Sequence, residues 1–535
     1  MTTIQNPILR GFNPDPSICR AGEDYYVATS TFEWFPGVQI HHSRDLVHWH
    51  LVAHPLNRLS LLNMIGNPNS GGIWAPDLSY HDGKFWLIYT DVKVTEGIWK
   101  DCRNYLTTCE TVDGEWSEPV FLNGVGFDAS LFHDDDDKKY LLNMYWDPRI
   151  SHHPFYGISL QEYSAKDGRL VGKPQIIYRG TDLKYTEGPH LYHVGDYYYL
   201  FVAEGGTTYQ HAETVARSKD LFGTYETQPD YPLLTSWFDP RHELQKCGHA
   251  SLLHTHTDEW FIAHLMSRPL LKEESPVLEE RGFCPLGRET ALQRIEWRDD
   301  WPHVVGGKQG TVMVDGPMLE EVKWKETYLE TDEFDGETLN INFQSLRIPL
   351  TEDIASLKSK PGNLRLYGKD SLTSKFTQAF VGRRWQAFSF DAATSVLFEP
   401  DTFQQSAGLA CYYNTENWTT VQITWDERKG KIIDLIACDN FKFSRPLGDE
   451  FISIPKHIQY IHLKVEVRMS TYQYSYSFDG LYWNVIPVRF ESRKLSDDYV
   501  RGGGFFTGAF VGMNCIDITG SNKPADFDYF MYREL

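Results

Sequence analysis

At 535 residues the chain exceeds one ordinary domain, and two domains are the natural division. Its 51 basic and 73 acidic residues give a formal charge of −22, a surface that repels phosphate backbones. That excludes nucleic acid as a partner and suits a neutral substrate; the 14% of aromatic residues serve sheet packing and stacking on sugar rings alike.

The amino terminus, Met1-Thr2-Thr3-Ile4-Gln5-Asn6, has neither the basic stretch nor the apolar core of a secretory signal. No apolar run approaches the ~20 residues that span a bilayer. The eight cysteines (19, 102, 109, 247, 284, 411, 438 and 515) are scattered, with no Cys-x-x-Cys pair and no disulfide-framework spacing. A cytoplasmic protein with buried free thiols and no membrane attachment is expected.

Asn13-Pro14-Asp15-Pro16-Ser17-Ile18 reads as a short strand, followed after a polar turn by the aromatic strand around Tyr25-Tyr26-Val27. The pattern recurs at Ala75-Pro76-Asp77-Leu78, Asp128-Ala129-Ser130-Leu131, Gly188-Pro189-His190-Leu191 and His249-Ala250-Ser251-Leu252. The repeats start at 15, 75, 128, 188 and 249, intervals of 60, 53, 60 and 61. A β repeat of ~50–60 residues accommodates about four strands with their loops, which is one propeller blade. If the first strand of each blade is innermost, Asp15, Trp74-Ala75, Asp128, Glu187-Gly188 and His249 converge on the central channel.

The repeats end near Gly287-Arg288-Glu289-Thr290, and a Gly/Asp-rich stretch leads to the charged Glu320-Glu321-Val322-Lys323-Trp324-Lys325-Glu326. The domain boundary falls around 318–328, giving a five-bladed propeller over 1–318 and a second domain over 319–535. Beyond it, short alternating strands such as Thr419-Thr420-Val421-Gln422-Ile423 and His462-Leu463-Lys464-Val465-Glu466 predict a jelly-roll-like β-sandwich, so the fold class is all-β. The run Arg501-Gly502-Gly503-Gly504-Phe505-Phe506 is either a tight turn or a loop that presents an aromatic to the propeller.

Taken singly, Asp15 between two prolines suits a turn, Asp128 a strand cap, and Glu187 before Gly188-Pro189 a bend. In register they become three acids aimed into one channel, an arrangement whose mutual repulsion shifts pKa values. Two carboxyls flanking a glycosidic bond are the minimum apparatus for glycoside hydrolysis, and a third charge keeps the acid protonated. The run His133-Asp134-Asp135-Asp136-Asp137-Lys138 lacks calcium-loop spacing and reads as a solvated hairpin turn.

The combination of Asn13-Pro14-Asp15-Pro16, Gly72-Ile73-Trp74-Ala75-Pro76, Phe127-Asp128-Ala129-Ser130 and Thr186-Glu187-Gly188-Pro189-His190 resembles glycoside hydrolase family 43. The likeness is to its two-domain bacterial β-xylosidases and covers essentially the whole chain, including Gly502 to Phe510. It implies Asp15 as general base, Glu187 as general acid, and Asp128 as the residue that orients the acid and tunes its pKa. It implies Phe32, Trp74, His249 and Arg288 as pocket residues; Trp146, after Tyr145, is a candidate aromatic wall, and the glycines flanking Phe505-Phe506 are expected to let Phe506 reach the pocket rim. A calcium ion near His249 on the channel axis and a homo-oligomer are further implications; no cofactor is needed for the chemistry. The implied activity is an exo-acting, inverting β-1,4-xylosidase on xylo-oligosaccharides, with a side activity on α-L-arabinofuranosides. The retaining fructosidases, which also set three acids on five blades, need an Arg-Asp-Pro segment that this chain lacks. A non-catalytic sugar-binding propeller would have no use for three channel-facing acids.

Overall fold

Alternating residues between turn signals give strands almost throughout; among the described residues the only helical pieces are two 3-10 turns, Ser492–Leu495 and Val500–Gly502. The computed structural model describes residues 2–271, 281–322 and 329–535; part of the expected linker, 323–328, lies outside them. The chain divides into two units, Met1–Arg281 with Arg288–Lys325, and Gly282–Gly287 with Glu326–Leu535. The repeat pattern gives no sign that Gly282–Gly287 leaves the first unit.

The first unit is a five-bladed β-propeller. Four antiparallel sheets of four strands and one of five follow in chain order. Their first strands, Ser17–Ala21, Gly72–His81, Ser130–His133, Glu187–Val194 and Gln245–His254, each pair with the next strand of their blade. Apolar faces of neighbouring blades bury one another: Ala28 and Ile40 meet Leu87 and Tyr89, while Ile88 and Leu106 meet Leu131 and Leu141. The ring is closed by the two ends of the unit. Thr3–Gln5 pairs with Met313–Asp315, and Ile4, Leu9, Ile18 and Val27 pack against Leu253, Phe261 and Leu292.

The five repeat starts share a backbone conformation. Asp15, Ala75, Asp128, Gly188 and His249 all have positive φ, at 53°, 26°, 53°, 56° and 52°. Register shifts mark β-bulges between Trp74 and Asp77, between Glu187 and His190, and between Gly248 and Ala250. A left-handed residue at a bulge turns the strand and re-aims the side chains beside it. Two places further on stand Ser17, Asp77, Ser130, His190 and Ser251. The Asp77 carboxylate accepts from Ser17 Oγ at 3.1 Å and from the Leu131 N–H at 2.8 Å, and faces His190 Nδ1 at 3.4 Å. One buried carboxylate thus ties four blades together on the channel side.

The second unit is a β-sandwich. One sheet runs Leu364–Tyr367, Pro524–Glu534, Ser389–Leu397, Tyr460–Arg468, Thr471–Ser477 and Asn484–Glu491; the other runs Ala379–Arg384, Phe510–Asp517, Gln405–Asn414, Asn417–Asp426 and Gly430–Asp439. Between them lies one core, with Leu409, Val421, Val465, Tyr474, Met513 and Phe527 among its buried members. Phe505 packs against this core, and its neighbour Phe506 is half-buried.

Candidate active site

Asp15, Asp128 and Glu187 are drawn together by the left-handed openings of the first, third and fourth blades. Asp15 is buried, and Arg288 donates from Nη1 to its Oδ1 at 2.8 Å while Ser30 Oγ donates to its Oδ2 at 2.6 Å. His249 Nδ1 lies 4.0 Å from the same Oδ1. Arg288 arrives there because the chain between Leu9 and Asn13 runs along the fifth blade, with Asn13 N–H bonded to the Arg288 carbonyl at 2.9 Å. The same guanidinium nitrogen donates to Thr207 Oγ1 at 2.8 Å.

The three acids titrate apart. Burial alone would raise Asp15, but Arg288, His249 and the Ser30 hydroxyl outweigh it and hold the carboxyl below its ordinary range. Burial, and then the negative charge of Asp15, push Glu187 up to about 8, against the opposing pull of Lys100 and Arg288. Asp128 is pushed well above the usual carboxylate range, first by burial and then by Glu187 and Asp15. The charge that raises Glu187 is therefore that of Asp15, and Asp128 is itself a raised acid. Its Oδ2 accepts the Gly188 N–H at 3.1 Å, a bond that fixes the backbone next to Glu187. Burial also holds two imidazoles neutral, His249 lowered to about 4 and His211 to about 3. At neutral pH the centre then has an ionised carboxylate beside a guanidinium, and a protonated carboxylic acid.

Around the acids stand aromatic rings. Phe32 lies 6.1 Å from Trp74, Trp74 5.1 Å from Phe127, and Phe127 6.2 Å from Trp146. Arg288 sits over Phe32 at 5.5 Å. The structure thus gathers Asp15, Asp128, Glu187, Phe32, Trp74, Trp146, His249 and Arg288 in the first unit; Phe506 belongs to the second. Sequence reasoning missed Lys100, Thr207 and His211. The Lys100 ammonium is caged by Trp74, Phe127 and Trp146 at 4.9, 5.3 and 4.8 Å, and burial lowers its pKa. It follows Ile98-Trp99 in a loop outside the repeat, so no register marks it; Thr207 had only its Gly205-Gly206 turn as a signal.

The resemblance implies a calcium ion near His249; among the described residues, no group of candidate metal ligands includes His249. Asp15, its carboxylate neighbour, is already committed to Arg288 and Ser30. Among the described residues, the groups whose ligand atoms lie within 4.8 Å of one another are His81, Asp82 and Asp137, and Asp134, Asp135 and His193. Both are at the half-exposed to exposed hairpin ends. They belong to the acidic turn, away from the channel acids.

Comparison with known proteins gives two family matches. The profile described as "Glycosyl hydrolases family 43" matches residues 4–302, and "Beta xylosidase C-terminal Concanavalin A-like domain" matches 331–533. A "Beta-xylosidase" of Bacillus subtilis is 62% identical over 531 residues, 99% of each chain. "Xylosidase/arabinosidase 43B" of Humicola insolens is 43% identical over 546 residues, 100% of this chain and 98% of that one. A solved xylan beta-1,4-xylosidase from Bacillus halodurans superposes with a TM-score of 0.96 at 48% identity, covering 99% of this chain and 100% of the other.

Proposed function

The chain belongs to glycosyl hydrolase family 43, and on that footing we propose that it is an exo-acting, inverting β-1,4-xylosidase which releases xylose from the non-reducing ends of xylo-oligosaccharides. The observation that carries the proposal is the opposed titration of two carboxyls in one pocket: Glu187 raised to about 8, Asp15 held low. Inverting hydrolysis needs that division of labour. Glu187 gives its proton to the glycosidic oxygen as the bond to the anomeric carbon breaks. Asp15 takes a proton from a water that attacks the same carbon from the opposite face. One proton enters with the leaving sugar and one is left on Asp15, so their exchange with solvent restores the starting state. Asp128 holds the Gly188 N–H and so the acid's backbone; Arg288 positions the base and offers its planar fork to sugar hydroxyls. The ring of aromatics about the acids supports attack on a chain end rather than within a passing chain.

The test is direct. Proton NMR of xylobiose hydrolysis should show α-xylose as the first-formed glycone sugar, before mutarotation; β-xylose first would mean retention and overturn the roles given to Asp15 and Glu187. The Humicola relative supports a side activity on α-L-arabinofuranosides, which an aryl α-L-arabinofuranoside would reveal. All eight cysteines are unpaired thiols, which supports a cytoplasmic setting.

A further inference from the structure

The aromatic lining does not stop at the pocket. From Phe127 it continues to Phe155 at 5.8 Å and from Phe155 to Tyr185 at 5.4 Å, with His153 5.2 Å from the Tyr185 ring. A Cβ on Gly206 would touch that ring at 3.9 Å, and Thr207 next to it leads back through Arg288 to Phe32. The rings form a collar around the three acids, graded in exposure. Phe32, Trp74 and Phe127 are buried, Phe155 is half-buried, and Tyr185 is 44% exposed.

The exposed end of the collar lies next to the acid in the chain. Tyr185 precedes Glu187 by two residues, and a general acid must flank the part of the substrate that leaves. The backbone there is held in an unusual shape. Lys184 and Tyr185 are both left-handed, with φ of 63° and 56°, a costly pairing for residues with side chains. It is fixed from both sides. The Lys184 carbonyl accepts the Gly205 N–H at 2.8 Å. The fully buried Glu204 accepts the Thr181 N–H at 2.7 Å and the hydroxyls of Thr181 and Thr186 at 2.6 and 2.9 Å. Strain kept by that many bonds presents one ring outward beside the acid.

We infer that Tyr185, buttressed by Phe155 and His153, is the stacking platform for the leaving sugar, and so a specificity-determining residue for what stands on the far side of the scissile bond. The inference rests on the xylosidase reading above. A pyranose presents an apolar C–H face, and an exposed phenol ring held in place is a fitting surface for it. The buried half of the collar is left to the xylose that is released.

Xylobiose and β-D-xylosyl fluoride separate the two sides of the bond, since fluoride has no ring to stack. For wild type, Tyr185→Ala, Tyr185→Asn and Tyr185→Phe, the readout is the ratio of kcat/KM on xylobiose to kcat/KM on the fluoride. The ratio should fall about tenfold in the Ala and Asn variants, the size of one stacking contact, and recover in Phe. Asn tolerates left-handed φ, so it retains the loop shape if Ala does not. A ratio within about twofold of wild type in Tyr185→Asn overturns the platform and leaves the xylosidase reading standing. So does an equal loss on both substrates, which would make Tyr185 a purely structural residue. A wild-type protein that hydrolyses neither substrate would overturn the xylosidase reading itself, and the platform with it.

Discussion

Asp15 and Glu187 are carboxyls buried in the same pocket, and what separates them is their partners: Asp15 has a guanidinium and a hydroxyl, Glu187 has the negative charge of Asp15. Distinct losses follow. Glu187→Ala should be severely slow on xylobiose, whose leaving alcohol is weakly acidic, and should regain much of its rate on an aryl xyloside with a strongly acidic phenol. Asp15→Ala should lose about 10²–10⁴-fold on both, because water must be activated whatever leaves. Rescue of Asp15→Ala rather than Glu187→Ala by the good leaving group would reverse the assignment. The raised acid also bears on stability. In the unfolded chain Glu187 returns to about 4.5, so between that pH and about 8 the folded protein keeps a proton that the unfolded chain has released. Stability from this group is whole below about pH 4.5 and is lost as pH rises through about 8. Glu187→Gln escapes that loss, and its melting temperature relative to wild type should climb between about pH 5 and pH 8. A gap that stays flat over that range would show that Glu187 is not raised.

At the scale of the strand, the repeat register in the sequence corresponds to a conformation. Positions 15, 75, 128, 188 and 249 align by residue type alone, and all five are left-handed in the structure. Five-bladed architecture and the convergence of the acids were legible because inner strands repeat and alternate. Lys100, Thr207 and Tyr185 were not, because they sit in loops whose course is set by tertiary bonds such as those of Glu204 and Gly205, and no period encodes those. The direction of the Asp128 pKa was likewise hidden, since it depends on burial and on which neighbour keeps its charge. Gly188 is where the strand conformation can be tested. Its φ is 56°, and an added Cβ would lie 2.8 Å from His249 Cε1 with both ring nitrogens at 3.0 Å. Gly188→Ala should therefore displace the acid or the imidazole and cost on the order of 10²-fold in kcat, the size of a 1 Å misplacement, with the circular dichroism of a folded β protein retained. Full activity in that variant would mean that the bulge does not position Glu187.

Over the whole molecule the charge of −22 acts on the approach of the substrate, not on the fold. A neutral xylo-oligosaccharide feels little of that field. Its kcat/KM should change by less than about twofold when salt rises from about 0.02 M to about 0.5 M, where screening shortens to a few ångströms. Oligomers carrying a uronic acid should be poorer substrates at low salt and improve as salt is added. An equal, strong salt dependence for both would place charged groups in the binding step itself.

The pairing of Thr3–Gln5 with Met313–Asp315 and the bond from Arg288 to Asp15, residues 273 positions apart, have a consequence for how the protein is made. Asp15 is synthesised first, and its guanidinium partner follows only after nearly the whole of the first unit. On the proposed roles, a chain truncated in the fourth blade would carry Asp15 and Glu187 without Arg288 and should show no turnover on xylobiose. Cleaving the chain in an exposed loop after synthesis is a different matter, because both ends of the ring are by then zipped together. Nicked protein should keep working where truncated protein never starts.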